Sequence, residues 1–296
     1  MLFERQRLLL TLLDALGGKS AKTDFQKLLF LYTRLEATPS YEFVPYKFGC
    51  FSFTSYADKR KLVERGLLVQ DDNHWELTEE GQRIARKEAV APLFVGRFCR
   101  DHAGLRGTSL VAKVYRLDPY YAIRSEILDK VLTDASERDR VEKARPAKAK
   151  SGIFTIGYEG KCLEKYLNQL MRSGVTLLCD VRRNPMSRKY GFAKSTLSHA
   201  CEGVGIRYEH LPALGIASEE RRQLNSQSDY DALFEDYEQK SLPLQSEPLS
   251  RISDWLTEGE SVALTCFELL PHQCHRHCVA EAIERDFKGQ LKAKHL

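Results

Sequence analysis

Cys266-Phe-Glu-Leu-Leu-Pro-His-Gln-Cys-His-Arg-His-Cys278 is the stretch that decides how the second half of this sequence is interpreted. It follows the apolar run Val262-Ala263-Leu264-Thr265, which predicts a short buried strand, and it precedes residues 279–287, which predict a helix. The first thiol and the carboxylate therefore lie where a strand ends, and the Cys-His-Arg run lies where a helix begins. Because open α/β sheets bind ligands at the carboxyl ends of their strands, we expect a functional site here.

The rest of residues 151–296 alternates strands and helices around this stretch. Short apolar runs near 153–157, 175–181 and 206–211 predict three further strands, and helical spacing of apolar residues fills the segments between them. This alternation predicts an α/β domain over residues 151–296. We expect a Rossmann-like, mostly parallel sheet with helices on both faces.

Titratable side chains follow each of the four predicted strands, so we expect them to meet at one edge of the sheet. The candidate catalytic residues are Glu268 and Asp180 as acid, base or nucleophile, Cys266 as a thiol nucleophile, and His275 as its neighbour. The candidate substrate-binding residues are Tyr158, Glu159, Arg182, His210, Cys274 and Arg276. Each also has a structural interpretation, such as a helix cap, an ion pair or a small core residue.

Positive charge at this edge indicates the kind of substrate. Arg182, Arg183, Arg188 and Arg276 would make the crevice positive, and the last helix directs the N–H groups of its first turn toward it. Phosphate-bearing substrates suit such a crevice best. No Walker pattern and no dinucleotide fingerprint is present, so we do not expect an ATPase or a dehydrogenase.

Five motifs in order resemble a known family. They are Gly157-Tyr158-Glu159-Gly160, Asp180-Val181-Arg182 with Pro185 and Ser187, Tyr208-Xaa-His210-Leu211-Pro212, Cys266-Xaa-Glu268 and Cys274-His275-Arg276. Residues 152–287 resemble the domain-of-unknown-function family 488. The resemblance implies a Rossmann-like α/β domain with a suspected active site, and it adds Ser187 to the substrate-binding candidates. Larger members carry an N-terminal extension, which residues 1–133 would match.

Residues 1–90 have the order of a mainly α winged helix-turn-helix domain: helices, a basic helix, a glycine and two short strands joined by a polar turn. Such domains place one helix in the major groove, so we expect DNA binding by Lys59, Arg60, Lys61 and Arg65. Residues 26–30 and 45–52 also resemble winged-helix modules of bacterial regulators and defence-associated proteins, which adds Lys47 and Ser52. A winged domain used for protein contact is the alternative.

Two segments connect these domains. We predict a helical connector over residues 91–133 and a charged linker without apolar periodicity over 134–150. Residues 1–150 carry 27 Lys and Arg against 21 Asp and Glu, a net charge of +6, and residues 151–296 carry 18 against 20, a net charge of −2. This asymmetry fits a binding domain joined to a domain of another kind.

We expect no signal peptide, and the sequence has no apolar run near the ~20 residues of a membrane span. With eight scattered cysteines we expect a cytoplasmic protein with reduced thiols and no membrane association. We expect no cofactor. The alternative is zinc at Cys266, Cys274, His275 or Cys278, although the sequence lacks the Cys-Xaa-Xaa-Cys spacing of many zinc sites.

We therefore expect a nucleic-acid-binding protein whose C-terminal domain processes or modifies nucleic acid. The alternative is a DNA-binding regulator whose α/β domain senses a nucleotide-like ligand or an oxidant without turnover. The sequence does not decide between an enzyme and a sensor. A homodimer is compatible with either.

Overall fold

The computed structural model of the chain describes residues 1–147, 151–217, 219, 220, 224 and 226–296. The chain forms two compact units, Met1–Arg145 and Pro146–Leu296. The division between them falls inside the predicted linker, whose residues 148–150 lie outside the described residues. In the described part of the chain, no helix has the length and the apolar character needed to cross a membrane.

The N-terminal unit is mainly helical. Its helices are α1 (Glu4–Ala15), α2 (Lys22–Thr33), α3 (Phe53–Glu64), α4 (Glu79–Lys87), α5 (Pro92–Asp101), α6 (Gly107–Leu117), α7 (Leu128–Val131) and α8 (Ala135–Lys143), with a 3-10 turn at Pro119–Ala122. The side chain of Ser52 accepts from the N–H of Ser55 at the start of α3, and Thr78 accepts from Gly81 at the start of α4. Because such caps pair N–H groups of the first turn, these helices begin where the sequence supplies a hydroxyl.

Four short strands accompany these helices: β1 (Lys19–Ala21), β2 (Val44–Tyr46), β3 (Gly49–Phe51) and β4 (His74–Glu76). β1 pairs antiparallel with β4, and β2 forms a separate hairpin with β3. Leu68 and Leu77 form an isolated antiparallel bridge where the sequence predicts two strands. The core of the unit includes the stacked rings of Phe25 and Trp75, with centroids 4.4 Å apart.

The segments predicted as connector and linker contribute helices to the N-terminal unit. Residues 91–133 contain α5, α6 and α7, and Val95 of α5 is fully buried. Within the segment predicted as a charged linker without apolar periodicity, residues 135–143 form α8. Asp134 caps this helix with its carboxylate, and Val141 is fully buried. A cap and one buried apolar side chain suffice here, which is too little to appear as apolar periodicity.

The C-terminal unit is a parallel α/β sheet. Its strands are β5 (Gly152–Gly157), β6 (Leu177–Asp180), β7 (Arg207–His210), β8 (Ser261–Cys266) and β9 (Lys294–His295). Its helices are α9 (Leu163–Arg172), α10 (Lys194–Gly203), α11 (Gln227–Asp236), α12 (Ser246–Thr257) and α13 (Arg276–Asp286). The described strands are paired in parallel in the order β7-β6-β8-β5-β9. The predicted parallel α/β fold is confirmed, and β9 is an additional strand.

Alternate side chains of the central strand β8 point to opposite faces of the sheet. Val262 and Leu264 pack in a hydrophobic core that includes Ile283 of α13. Toward the other face, the hydroxyl of Tyr166 on α9 donates to the hydroxyl of Thr265 at 2.8 Å. Helices therefore cover both faces, as predicted, and the polar residues at the strand ends gather at one edge of the sheet.

Candidate functional site

A cavity of about 350 Å³ opens at the carboxyl edge of the parallel sheet. It is lined by Tyr158, Arg182, Arg183, Asn184, Met186, Ser187, Arg188, Ile216, Cys266, Phe267, Glu268 and His275. The structure thus brings six of the predicted site residues together: Tyr158, Arg182, Ser187, Cys266, Glu268 and His275. The volume lies within the range of about 300–1,000 Å³ that is usual for small-molecule sites.

Three titratable side chains of the cavity lie close together and are called the reactive group below: Cys266, His275 and Glu268. The Sγ atom of Cys266 lies 3.3 Å from Oε2 of Glu268 and 3.8 Å from Nδ1 of His275. The other ring nitrogen of His275, Nε2, lies 3.0 Å from the carbonyl oxygen of Val181. Because a carbonyl can only accept, Nε2 carries the proton of the neutral ring, and Nδ1 presents its lone pair to the thiol. The thiol therefore has both a proton acceptor and a carboxylate within 3.8 Å.

A second thiol, Cys274, lies beside this group. One ligand atom from each of Cys266, Cys274 and His275 falls within 4.8 Å of the other two, and all three residues are buried. Burial raises the pKa of Cys274 well above its usual value, because a buried thiolate loses its solvation. The neighbouring Cys266 raises this pKa further. Cys274 was predicted to bind substrate, but it is fully buried and does not belong to the cavity lining.

Asp180 holds Arg182 in place and does not reach the cavity. Its Oδ1 accepts from the backbone N–H and Nε of Arg182 at 3.1 and 2.8 Å. Its Oδ2 accepts from Nη2 of Arg182 at 2.5 Å and from the hydroxyl of Tyr208 at 2.6 Å. Burial, together with the charge of Asp180, raises the pKa of Tyr208, so this hydroxyl remains a donor. With both oxygens occupied, Asp180 positions Arg182, which corrects its prediction as a catalytic residue.

Arg182 is fixed in the cavity wall, and its guanidinium is not free to move onto an anion. Its remaining guanidinium nitrogen, Nη1, donates to the hydroxyl of Tyr158 at 3.0 Å and to the carbonyl oxygen of Phe192 at 2.9 Å. The ring of Tyr158 stacks on Phe192 with centroids 4.3 Å apart, and Phe267 packs against its edge. Every nitrogen of this guanidinium thus has a partner within the fold. Arg182 and Tyr158 together give the cavity a rigid aromatic side.

The loop after β8 is fixed by residues that were predicted to bind substrate. Oε2 of Glu159 accepts from the N–H of Leu269 at 2.9 Å. Arg276 donates to the carbonyl oxygens of Glu268 and Leu269 at 2.5 and 3.0 Å. A Cβ atom on Gly157 would lie 1.8 Å from the carbonyl oxygen of Glu268. Glu159 and Arg276 therefore position Glu268, because the end of β5 and the start of α13 both meet the backbone of this loop.

His210 and Ser187 have different roles beside the cavity. His210 donates from Nε2 to the carbonyl oxygen of Arg182 at 2.9 Å, and its Nδ1 accepts from Lys194 at 3.1 Å. Both ring nitrogens are thus engaged, and His210 supports the backbone instead of binding substrate as predicted. Ser187 lines the cavity and accepts from the N–H of Lys189 at 3.1 Å. Its own O–H can still donate to a ligand.

Two arginines that follow Asp180 in the chain supply the exposed positive charge of the cavity. Arg183 and Arg188 are exposed, and neither has a hydrogen-bond or ion-pair partner among the described residues. A wider groove of about 1100 Å³ continues from the cavity along α10 to Glu202. The groove and the cavity share Asn184, Met186, Ser187 and Arg188.

Sequence analysis missed several residues that shape this site. Phe192 and Phe267 enclose the ring of Tyr158, and Tyr208 completes the shell around Asp180. The only local signal for any of them was the position of Tyr208 two residues before a candidate histidine. Aromatic residues that line a cavity have the same composition as those that fill a core, so the sequence alone does not separate them.

The DNA-binding candidates of the N-terminal unit divide into exposed and buried residues. The exposed ones are Lys47, Arg60, Lys61 and Arg65. Ser52 is fully buried and caps α3. Lys59 is 7% exposed and donates from Nζ to the carbonyl oxygens of Asp71 and His74 at 2.6 and 2.7 Å. The predictions for Ser52 and Lys59 are therefore corrected, because both bind the backbone of their own unit.

Residues 162–283 match the family described as Domain of unknown function DUF488. The match confirms the resemblance inferred from the motifs, although the Gly157-Tyr158-Glu159-Gly160 motif lies outside the matched residues. No curated protein and no solved structure matches the chain. A function is therefore inferred from the family match and from the geometry of the cavity.

Proposed function

We propose that this chain, which carries a DUF488 domain at residues 162–283, is an enzyme that binds nucleic acid through its N-terminal unit and processes or modifies it in the cavity of its C-terminal unit. The observation that carries the proposal is a single cavity lining that contains both a reactive group and exposed arginines. Cys266, His275 and Glu268 supply acid–base and nucleophilic chemistry. Arg183 and Arg188 supply charge for phosphate groups.

Phosphate recognition is assigned to Arg183 and Arg188. Their side chains reach solvent and have no partner among the described residues, so a ligand need not displace an existing ion pair. Guanidinium groups bind phosphate oxygens in pairs, which gives both affinity and orientation. Arg182, held by Asp180, fixes the start of the loop that carries both side chains.

A polymer fits this site better than a free nucleotide. The cavity of about 350 Å³ has room for about one nucleotide, and the groove of about 1100 Å³ continues from it along α10. A chain of nucleotides would place one unit beside the reactive group and its neighbours in the groove. Lys194 and His199 line the groove and add further donors for a phosphate backbone.

The reactive group supports nucleophilic chemistry with general acid–base help. Nδ1 of His275 can accept the proton of Cys266, since its other nitrogen is fixed on the Val181 carbonyl. Glu268 lies 3.3 Å from the same thiol, where it can accept a proton from the substrate or return one to it. The thiolate of Cys266 forms a bond to the attacked atom, His275 passes the thiol proton to the leaving group, and water then releases the product from the sulfur. The bond that breaks joins the attacked atom to its leaving group.

Nucleic-acid binding by the N-terminal unit is proposed on its exposed basic residues. Arg60, Lys61 and Arg65 lie on and just after α3, and they are exposed. The chain then forms the antiparallel bridge between Leu68 and Leu77, the position of the wing in a winged helix-turn-helix domain. We include this winged-helix assignment in the proposal. Basic side chains on such a helix would bind phosphates and bring the polymer to the enzyme.

A ligand-sensing or oxidant-sensing regulator is the second candidate, and the neighbouring thiols of Cys266 and Cys274 favour it. Sensor thiols must be accessible to the oxidant, whereas these residues are 1% and 0% exposed. Because a thiol nucleophile needs access as well, it is the exposed charge of Arg183 and Arg188 at the same cavity, which an oxidant sensor does not need, that favours the enzyme. All eight cysteines are free thiols in the structure, which supports the further proposal of a cytoplasmic location.

The enzyme is tested with single- and double-stranded oligonucleotides of DNA and RNA, whose intact masses are measured before and after incubation. We expect a product with the wild-type protein. The Arg183→Gln/Arg188→Gln variant should raise KM at least about tenfold, since one charged hydrogen bond contributes about 1.5–3 kcal/mol. The control Arg285→Gln/Lys288→Gln removes the same charge from exposed positions outside the cavity lining. An unchanged KM in the first variant would contradict phosphate recognition by this cavity.

Nucleic-acid binding is tested by the salt dependence of affinity. The Arg60→Glu/Lys61→Glu/Arg65→Glu variant should lose about three phosphate contacts, which lowers the slope of log K against log salt by about 2.7. Between 50 and 200 mM salt, that slope corresponds to about 40-fold in affinity.

The matched control for the N-terminal unit is Lys87→Glu/Arg97→Glu/Lys130→Glu, which reverses three other exposed charges of the same unit. It should keep most of the wild-type slope. Equal slopes for the α3 variant and the wild-type protein would place the nucleic-acid surface elsewhere.

A further inference from the structure

One buried thiol has no role in the chemistry proposed above. Proton transfer from Cys266 to His275 uses two of the three neighbouring residues and leaves Cys274 unexplained. Cys274 is fully buried, and its thiol lies within 4.8 Å of the other two ligand atoms. Two thiols and an imidazole that converge inside a protein form the donor set that zinc prefers.

We propose that Cys266, Cys274 and His275 bind one zinc ion with three protein ligands. Zn–S bonds of about 2.3 Å and Zn–N bonds of about 2.0–2.1 Å place the ligand atoms of a tetrahedral site about 3.5–3.8 Å apart. The distance between Sγ of Cys266 and Nδ1 of His275 is 3.8 Å, and all three ligand atoms lie within 4.8 Å of one another. The donor atoms therefore need to move by less than about 1.5 Å to surround the ion.

The contacts around the ligands match those of a metal site. A histidine that binds a metal usually donates its other N–H to a backbone carbonyl or a carboxylate, which fixes the ring. His275 donates from Nε2 to the Val181 carbonyl at 3.0 Å, so Nδ1 is directed at the thiols. The ligands come from the end of β8 and the start of α13, and Arg276 fixes the loop between them through two backbone carbonyls. The three ligands are thus held by rigid elements.

Other cysteines and histidines near this position do not belong to the site. Cys278 was a candidate zinc ligand, but its Sγ lies 3.5 Å from Nε2 of His277, and neither residue belongs to the group of three. Cys278 is also fully buried, four residues after Cys274. It therefore serves as a control thiol of similar burial, on α13 just after Cys274.

The fourth position of the ion would face the cavity. Cys266 and His275 both line the cavity, and Glu268 lies 3.3 Å from Sγ of Cys266 without belonging to the group of three. Three protein ligands with an open position are typical of catalytic zinc, which lowers the pKa of a bound water. In zinc enzymes that hydrolytically deaminate nucleobases, a carboxylate that lies beside the metal without binding it acts as the general acid/base.

The zinc site deepens the proposed function and rests on it for the identity of the substrate. When zinc is bound, Cys266 and His275 are its ligands, so a zinc-bound water takes the place of the Cys266 thiolate as the nucleophile. Water bound at the fourth position would give its proton to Glu268, and its oxygen would bond to the electrophilic atom of a nucleotide in the cavity. The bond from that atom to the leaving group breaks, and the leaving group takes the proton from Glu268. The reaction is a hydrolysis, which needs water alone as its co-reactant.

The test measures metal content of the full-length protein by inductively coupled plasma mass spectrometry after expression in zinc-supplemented medium. We expect about one zinc ion per chain in the wild-type protein and in Cys278→Ala, and less than about 0.2 in Cys266→Ala and Cys274→Ala. If an alanine variant fails to fold, wild-type protein stripped of metal is titrated with cobalt, whose thiolate charge-transfer absorption reports two sulfur ligands. Wild-type protein without zinc and without this absorption would overturn the proposal.

The outcomes for metal and for activity are separable. Glu268→Gln should keep zinc at the wild-type level and lose activity, because Glu268 moves protons and does not bind the ion. Product formation that persists in zinc-free protein would leave the proposed function standing and overturn the catalytic role of the zinc ion. Zinc at about one per chain with no product on any nucleic acid would support the metal site and reject the proposed function.

Discussion

Replacing Asp180 by asparagine tests whether this carboxylate supports the fold or takes part in the chemistry. Asp180 is fully buried, and Arg182 is 6% exposed. The substitution keeps the shape of the side chain but leaves the guanidinium of Arg182 buried without its counter-charge. Breaking a buried, hydrogen-bonded ion pair costs about 3–5 kcal/mol. The amide nitrogen of asparagine would also face a donor of Arg182, where the carboxylate has an acceptor.

The size of this loss determines the expected shift in melting temperature. The C-terminal unit spans 151 residues, from 146 to 296. For domains of this size, 1 kcal/mol lowers the midpoint by about 2–4 °C, so we expect a fall of about 6–20 °C. Differential scanning calorimetry measures the shift, and product formation per folded molecule is measured well below the new midpoint. Activity per folded molecule should remain within about tenfold of the wild-type value.

A matched control is Asp254→Asn on α12, where the carboxylate is exposed. It should change stability by no more than about 0.5 kcal/mol. An Asp180→Asn protein that melts at the same temperature as the wild-type protein but forms no product would contradict a supporting role, because Asp180 would then act in the reaction.

Three further perturbations have defined outcomes. Gly157→Ala places a Cβ atom 1.8 Å from the carbonyl oxygen of Glu268, so the loop must shift by more than 1 Å and kcat/KM should fall about 100-fold, with an unchanged circular dichroism spectrum. Full activity would contradict the close contact. Lys59→Met removes donors to two backbone carbonyls and should cost about 1–2 kcal/mol in urea unfolding, while an altered salt dependence of DNA binding would show that Lys59 faces the ligand. Hydrogen bonds, above all the one from the N–H of Asn73, lower the pKa of the Asp71 carboxyl to about 2. The ionised carboxylate therefore stabilises the fold above the unfolded pKa of about 3.9, and this stabilisation is lost as pH falls toward 2. Acid unfolding of Asp71→Asn should lack this component, and identical profiles would contradict it.

The fold of the C-terminal unit follows from the sequence because strand and helix patterns alternate along the chain. Each apolar run is long enough to be buried on both sides, so a parallel sheet is the arrangement that covers it. β9 has only two residues, Lys294 and His295, and both are exposed. Such a strand has no pattern of its own, and it exists only because β5 offers unpaired backbone groups.

The position of the site was also predictable, but the roles of several residues were not. The carboxyl ends of parallel strands meet at one edge, which placed Cys266, Glu268 and His275 together. At the same edge, Asp180 and His210 turned out to bind Arg182 and its backbone. A polar side chain at a strand end can face a ligand or pair with a neighbouring loop. The choice depends on contacts between residues far apart in sequence, which a local pattern does not contain.

Adjacent residues of the same type show this limit most clearly. Arg182 is buried among Asp180, Tyr158 and the Phe192 carbonyl, whereas Arg183 is exposed at the cavity. Nothing in the sequence distinguishes the two guanidinium groups. In the N-terminal unit, Lys59 and Arg60 differ in the same way, since successive residues of a helix point to different sides.

Single-turnover product analysis shows most directly whether the cavity around Glu268 acts on nucleic acid. DNA and RNA oligonucleotides are incubated with excess wild-type, Glu268→Gln and Glu247→Gln protein, and the digested nucleosides are analysed by mass spectrometry. Glu247 is exposed on α12 and serves as the control carboxylate. If the cavity acts on nucleic acid, we expect product with the wild-type protein and Glu247→Gln, and a rate lower by about 10²–10⁴ with Glu268→Gln at unchanged affinity. A wild-type rate in Glu268→Gln, or tight binding without product by the wild-type protein on every substrate, would contradict it.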